Sequence, residues 1–161
     1  MPRIFNRIYG RIQDRIKGLT GFKKWMLTKG LNTKLRNLRT KGVVGECCYD
    51  KLVFNKMKAL LGGRVRLMVT GSAPISSEVL DFLKVCFCCP IVEGYGLTET
   101  SAAVTLTNPI DPVSGHVGGV FPCVKARLRD VPDMGYLTTD NPPRGEICFK
   151  GANVFKGYFK A

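Results

Sequence analysis

An α/β chain is predicted by three features that follow one another between residues 64 and 92. Arg64-Val-Arg-Leu-Met-Val-Thr70 alternates and then runs apolar, the pattern of a strand whose buried face widens along its length. Ser76 or Ser77 supplies an N-cap and Glu78 a first-turn acid, and Val79, Leu80, Phe82, Leu83 and Cys86 form the apolar face of a helix. Pro90-Ile91-Val92 is a second short apolar run that reads as a buried strand. Strand, helix and strand make a βαβ unit, which crosses over right-handed and lays down a parallel sheet. The expected architecture is therefore α/β: a parallel-sheet βαβ core, preceded by a basic helical hairpin and followed by a β-rich subdomain.

The hairpin comes first in the chain. Residues 1–41 carry twelve Lys or Arg against one acid, Asp14, so +11 of the net charge of +13 lies there. Ile4, Ile8, Ile12 and Ile16 repeat every fourth residue, as do Arg3, Arg7, Arg11 and Arg15. On a helix that spacing sets an apolar stripe beside a basic one, and Gly18 ends the run. A second helix is expected from Gly21 to about Leu38, with Phe22, Trp25, Met26, Leu31, Leu35 and Leu38 as its apolar residues. Three readings apply to this segment: a hairpin packed on the body with solvated arginines, a membrane-surface helix, or a nucleic-acid contact. No recognition motif accompanies the charge, so nucleic acid is not expected as a partner.

Gly42–Gly45 reads as a loop, and Tyr49–Leu61 as a helix ended by Gly62-Gly63. After the βαβ unit comes Glu93-Gly94-Tyr95-Gly96-Leu97-Thr98-Glu99-Thr100. Alternating glycines let backbone approach a ligand closely. Tyr95 offers a flat ring that suits stacking on a base, Thr98 a hydroxyl, and Glu99 a carboxylate of the kind that binds Mg²⁺ through oxygen. The competing reading is a glycine-rich turn with a helix N-cap at Thr98. Ligands of parallel sheets sit at the carboxyl ends of strands, so the turns at Gly71 and Tyr95 are expected to face one crevice. Beyond Pro109, short alternating runs at Lys125–Leu128 and Glu146–Lys150 lie between Gly/Pro clusters, which predicts a β-rich segment. The chain is accordingly divided into a basic helical segment (1–45), an α/β core (46–117) and a β-rich subdomain (118–161).

Composition narrows the classes further. At 161 residues and 45% hydrophobic, the chain is long enough for one domain with a sizeable core, and no apolar run approaches the length of a membrane span. There is no apolar segment of the secretory type after the first arginines. Seven cysteines, clustered at Cys47-Cys48 and Cys86-Phe87-Cys88-Cys89, lack the paired spacing of a zinc site and read as reduced thiols. His116 has no neighbouring ligand in sequence and reads as a polar loop residue.

The glycine-rich octet does not stand alone. Tyr95-Gly-Leu-Thr-Glu-Thr100 resembles the adenine and phosphate motif of the acyl-adenylate-forming enzymes. Upstream, Thr70-Gly-Ser-Ala-Pro-Ile-Ser76 resembles their glycine-serine-alanine-proline turn. Downstream, Arg144-Gly-Glu-Ile-Cys-Phe-Lys-Gly151 with Val154-Phe-Lys-Gly-Tyr158 is similar to a third signature. Lys51–Lys56, Leu60–Arg64 and Asp130–Tyr136 resemble the long-chain fatty-acid:CoA ligases in particular, and the resemblance covers nearly the whole chain. Leu97, where many long-chain members carry glutamine, and Gly118-Gly-Val-Phe121, where prolines are usual, depart from the pattern and bear on chain-length preference.

The resemblance implies the fold of an adenylate-forming enzyme's N-terminal domain and a two-step reaction. It also implies that the α/β core (46–117) is a nucleotide-binding one, present in part, and that the β-rich subdomain (118–161) is truncated. A fatty-acid carboxylate attacks the α-phosphate of ATP to give acyl-AMP, and coenzyme A then displaces AMP. ATP, Mg²⁺ and CoA are the implied co-substrates and fatty acid the substrate. By position, Gly71, Ser72 and Ala73 would line the base and acyl path, with Glu93, Gly94 and Gly96 in the nucleotide site. Tyr95 would stack on adenine, Thr98 would hydrogen-bond the α-phosphate and Glu99 would bind Mg²⁺. The implied location is intracellular and peripheral, on the cytosolic face of the endoplasmic reticulum or another lipid-handling membrane, with residues 1–41 as the contact. The lysine-bearing phosphate loop, the ribose-binding aspartate and the small C-terminal domain of the family have no counterpart in these residues. A middle slice of the enzyme, inactive by itself, is expected; the alternative is a non-catalytic nucleotide-, lipid- or partner-binding module.

Overall fold

The computed structural model describes residues 2–45 and 47–160, the side chains of Pro2 and Cys47 excepted. It divides into two compact units: the chain up to Gly94 together with Thr107–Gly118, and Tyr95–Leu106 together with the chain from Gly119 onward.

The first unit opens with the expected hairpin. Helix α1 spans Pro2–Lys17 and α2 spans Gly21–Lys41. Gly42, at φ 67°, ends α2 by sending its N–H back to the Leu38 carbonyl, the left-handed cap that glycine accepts without a Cβ clash. On α2 the buried stripe is Leu27, Gly30, Leu31, Lys34 and Leu38, a helical repeat of three and four. Phe22 and Trp25 fall off that stripe and are 70% and 55% exposed. Of the apolar residues named for this helix, Leu31 and Leu38 pack inward and these two do not, because the buried face is set by positions 27 to 38.

The predicted helix over residues 49–61 forms as three short pieces: α3 (Cys47–Tyr49), a π-type turn (Asp50–Phe54) and α4 (Asn55–Ala59). Gly62 and Gly63 follow, both at positive φ. Strand β1 covers only Met68–Thr70, shorter than the predicted Arg64–Thr70. Its ladder is with β2 (Ile91–Leu97), and the parallel register runs only from Met68↔Ile91 to Thr70↔Glu93. Between them, α5 (Ser77–Phe87) starts where predicted, with the Ser76 hydroxyl accepting the Val79 N–H at 3.3 Å. Helix α5 packs against α1, α2 and α4, so it is buried on more than the one face its periodicity marks. Asp81 and Lys84 are buried on it and share the Ser114 hydroxyl, at 2.7 and 2.9 Å. Arg39 also reaches Asp81, at 3.2 Å. The core joins Leu31, Leu38, Phe54, Leu80, Leu83 and Ile91, and Tyr9 meets Phe82 edge-on at 5.0 Å.

The second unit contains the end of β2, a 3₁₀ turn (Thr98–Thr100), β3 (Ala102–Leu106) and β4 (Gly119–Val120). Strands β3 and β4 are antiparallel. The expected β-rich segment is present as β5 (Val124–Arg129) and β6 (Glu146–Gly151), antiparallel from Val124↔Gly151 to Arg129↔Glu146. Among the described residues, no helix is long and apolar enough to cross a membrane. Cys48, Cys86, Cys88, Cys89, Cys123 and Cys148 are free thiols. The Cys47 thiol lies outside the described side chains.

Candidate active site

Strand β2 carries Glu93, Gly94, Tyr95 and Gly96 of the residues singled out by sequence, and it runs farther than the apolar pattern predicts. Glu93 to Leu97 are strand residues, and the single 3₁₀ turn begins at Thr98. Just past the apolar run, Glu93 finds a partner fourteen residues away. The Glu93 N–H donates to Thr107 Oγ1 and the Thr107 N–H donates to the Glu93 carbonyl, both at 2.9 Å. Tyr95 is thus a strand residue and does not sit past the strand end.

In the first unit, Gly71 follows β1 directly and approaches Gly94. A Cβ at Gly71 would lie 2.9 Å from the Gly94 carbonyl oxygen, so both glycines belong to one close backbone contact. Ser72 and Ala73 are exposed, and Ser72 holds φ at 70°, a left-handed conformation uncommon for a residue with a Cβ. Glu93 is buried, and burial pushes its carboxyl above the usual range, opposed by the Gly115 N–H, Lys84 and His116. Thr70 and Glu93 are paired in the β1–β2 register. Each keeps a buried oxygen, Thr70 Oγ1 and Glu93 Oε2, with no hydrogen-bond partner among the described residues. Paired buried acceptors without partners mark a place where a ligand or water completes the bonding. His116 is a loop residue, as expected, with Nε2 at 3.3 Å from Asp111.

In the second unit, Tyr95 is half-buried and its ring stands 6.0 Å from Phe149, tilted by 36°. Gly96 cannot carry a side chain: a Cβ would lie 2.1 Å from the Ala102 carbonyl oxygen and 2.6 Å from Ala103 Cα. Because the obstacle is backbone, Gly96→Ala is expected to cost about 1–3 kcal/mol, read as a lowered denaturation midpoint; an unchanged midpoint would refute the close approach.

Thr98 is exposed and opens the 3₁₀ turn; it is not an N-cap. The closing hydroxyl is that of Thr100, which accepts the Leu97 N–H at 2.9 Å and reaches the Ala102 carbonyl at 2.8 Å. The turn exits through Ser101 at φ 58° and Ala102 at φ 152°. Sparsely populated backbone of this kind concentrates at ligand clamps and active sites.

Glu99 is partly exposed on that turn. Tyr158 donates its hydroxyl to Glu99 Oε1 at 2.8 Å, and the Phe155 N–H donates to the Glu99 carbonyl at 2.9 Å. Asn153 Nδ2 adds a bond to the Thr100 carbonyl at 3.0 Å. The Glu99 carboxyl is held below its ordinary range by its own backbone N–H and then by Tyr158. In the sequence Tyr158 belongs to the Val154–Tyr158 signature and carries no site role; that signature is the one signal there that points to it. Among the described residues no three His, Cys, Asp or Glu side chains could jointly hold a metal. An ionised single carboxylate suits Mg²⁺, which typically takes one or two carboxylates and completes its shell with water and phosphate.

A family model described as "AMP-binding enzyme" matches residues 1–159. The peroxisomal long chain acyl-CoA synthetase 7 of Arabidopsis thaliana is 45% identical over 161 residues, which is 99% of this chain and 23% of that protein. The fatty acyl-CoA synthetase A of Dictyostelium discoideum is 43% identical, with 99% and 24% covered. The human long-chain-fatty-acid–CoA ligase 1 is 43% identical, with 99% and 22% covered. The chain thus spans about a quarter of the length of these curated relatives. Among solved structures, the A domain of carboxylic acid reductase from Segniliparus rugosus, in complex with AMP and a co-purified carboxylic acid, has a TM-score of 0.64 and 30% identity. It covers 99% of this chain and 21% of its own.

Proposed function

The chain belongs to the AMP-binding enzyme family, and we propose that it forms part of an ATP-dependent long-chain fatty acid:CoA ligase. The observation that carries this reading is the Glu99 carboxylate on its strained turn, fixed by Tyr158, inside a match that spans residues 1–159. In the proposed reaction a carboxylate oxygen attacks the α-phosphorus of ATP and pyrophosphate leaves. The CoA thiolate then attacks the acyl carbon and AMP leaves. The obstacle in the first step is the approach of two anions, so the protein's task is to position and neutralise. Bound Mg²⁺ would supply charge neutralisation at the phosphates, with Glu99 as the protein ligand.

The roles proposed for the remaining residues follow from the motifs they belong to, and their surroundings are compatible with them. Tyr95, with Phe149 behind it, presents its ring to adenine. Thr98, exposed at the start of the turn, offers its hydroxyl to the α-phosphate. Gly96 leaves room for the Ala102 backbone, which keeps the turn in place. In the first unit, Gly71, Ser72, Ala73, Glu93 and Gly94 are proposed to contribute to nucleotide binding, and Thr70 and Glu93 there each keep a buried oxygen without a partner among the described residues. The test is fatty-acid-dependent ATP–pyrophosphate exchange and acyl-CoA formation by the protein at its natural length. Mg²⁺-dependent exchange with long-chain acids supports the reading. No exchange with any carboxylic acid overturns it in favour of a binding module.

A second reading concerns residues 1–41, proposed as a peripheral contact with a lipid-handling membrane on its cytosolic face. Arg3, Arg7, Arg11 and Arg15 are exposed on α1, and α2 presents Phe22 and Trp25 stacked at 5.6 Å with Lys29 Nζ 4.8 Å from the Trp25 ring. Exposed aromatics ringed by cations fit an interface of apolar tails and anionic headgroups. Trp25 is the chain's single tryptophan, so its emission reports the event. Vesicles containing phosphatidylserine are expected to shift that emission to the blue, and added salt to reverse it. Phe22→Ser is expected to weaken partitioning about tenfold, the cost of one large apolar side chain. No shift on anionic vesicles would refute this contact.

A further inference from the structure

We propose that Lys34 and Cys88 form an oxidative modification site, at which a peroxide links Lys34 Nζ to Cys88 Sγ through one oxygen atom. The two residues come from separate helices of the first unit. Lys34 lies in α2 with only 1% of its side chain exposed. Cys88 is the C-cap of α5, held at φ 53° with its N–H returned to the carbonyls of Lys84 and Val85. That left-handed cap fixes the thiol's direction, and Lys34 Nζ donates to Cys88 Sγ at 3.0 Å. Asp50 completes the cluster. It takes a hydrogen bond from Lys34 Nζ, and the Cys88 thiol donates to the same oxygen, Oδ1, at 3.3 Å. Phe54 covers the ammonium from another side, its ring centre 4.4 Å away.

This is an unusual set of neighbours for a structural thiol. An amine in van der Waals contact with the sulfur, with a carboxylate touching both, places nucleophile, reaction partner and proton acceptor together. In the proposed chemistry the thiol sulfur attacks one peroxide, the O–O bond breaks, and Cys88 becomes a sulfenic acid with release of water. Lys34 gives a proton to Asp50, and its nitrogen attacks a second peroxide to become a hydroxylamine, again releasing water. The hydroxylamine oxygen then attacks the sulfenic sulfur, the S–OH bond breaks, and water leaves. Sulfur and nitrogen have each been oxidised by two electrons, and the product is an S–O–N bridge. Four thiol equivalents of a small dithiol reverse it, returning thiol, amine and water. Burial holds the Cys88 thiol above its ordinary range, against the hydrogen bond from Lys34 that pulls it down, so the thiolate fraction is small and the reaction slow.

The bridge would tie α2 to the end of α5 and remove the Lys34 charge from Asp50. It lies just ahead of Ile91, where β2 begins, and is therefore placed to influence the strand that carries the candidate site. The inference is independent of the ligase reading, because it requires neither nucleotide nor acyl substrate.

The test is peptide mapping by mass spectrometry of the natural-length protein after hydrogen peroxide treatment. The expected result is a crosslinked pair of peptides containing Lys34 and Cys88, about 14 Da heavier than their sum, that disappears on dithiothreitol treatment. Cys88→Ser and Lys34→Arg are each expected to abolish that species. In Lys34→Arg, Cys88 is expected to proceed instead to sulfinic acid. Should Lys34→Arg fail to fold, Cys88→Ser, which keeps a small polar side chain at the cap, provides the control. Cys88 passing directly to sulfinic acid in the unmodified protein, a disulfide to another cysteine in place of the bridge, or a 14 Da species that survives Cys88→Ser would each overturn the proposal.

Discussion

Glu99→Gln in the natural-length protein is expected to reduce Mg²⁺-dependent acyl-adenylate formation by about 100-fold or more, since it removes the proposed metal's charged ligand while keeping the side chain's shape. The variant should fold normally, because Glu99 is partly exposed and glutamine can still accept the Tyr158 hydroxyl. Raising the Mg²⁺ concentration should recover part of the loss, which separates a metal-binding role from a purely structural one. The Tyr158 partner gives a graded companion experiment. Glu99 is held below the ordinary carboxylate range by its own backbone N–H and by Tyr158. In the folded protein it therefore stays ionised until the pH falls through that lowered value, and the acid limb of activity should lie below the usual glutamate range. Tyr158→Phe removes one of the two groups that stabilise the anion, so the limb should move up in pH, with a several-fold loss near neutrality. Pyrophosphate exchange as a function of pH and Mg²⁺ reads both effects. Exchange that is unchanged in Glu99→Gln would remove Glu99 from the metal site.

How much of this was legible in the sequence depended on whether a feature was local. The serine cap, read as Ser76 or Ser77, the α5 helix and the parallel β1–β2 pair follow from neighbours in the chain, and all three form, with Ser76 as the cap and β1 shortened to Met68–Thr70. So do β5 and β6, whose alternation and flanking turns need no distant information. The octet from Glu93 to Thr100 was found by composition, but its conformation was not. Strand β2 continues through both glycines, and its Glu93 is bonded to Thr107, fourteen residues away. The turn itself is closed by Thr100, the one hydroxyl in the octet to which no role had been given. The contact of Tyr158 with Glu99 is hidden in the sequence for the same reason, since it spans 59 residues. The exposed Phe22 and Trp25 show a different limit. An apolar residue on a helix says nothing about which arc faces the body until the partner helix is known, and α5 selects the arc of Leu27, Leu31 and Leu38.

Lys34 is the sharpest case of that limit, and it carries the largest expected effect on stability. In the sequence it is one of the twelve cations of residues 1–41 and nothing sets it apart, yet its side chain is 1% exposed and it is paired with Asp50, itself 19% exposed. An ion taken out of water stays charged at tolerable cost only while its counter-ion remains beside it. Asp50→Ala is therefore expected to destabilise the protein by about 3–5 kcal/mol, the cost of leaving a buried charge unpaired. That is a large part of the total stability of a typical domain. Asp50→Asn, which keeps an acceptor for Lys34 Nζ but loses the charge, should fall between the two. The double replacement Lys34→Met with Asp50→Leu is expected to recover most of the loss, because a well-packed apolar pair avoids desolvating either ion. Denaturant midpoints of the four proteins test this, with the slope checked for constancy so that a midpoint shift reads as stability. A loss below about 1 kcal/mol for Asp50→Ala would mean that Lys34 reaches water when its partner is removed. The pair would then be a surface contact and not an element of the core.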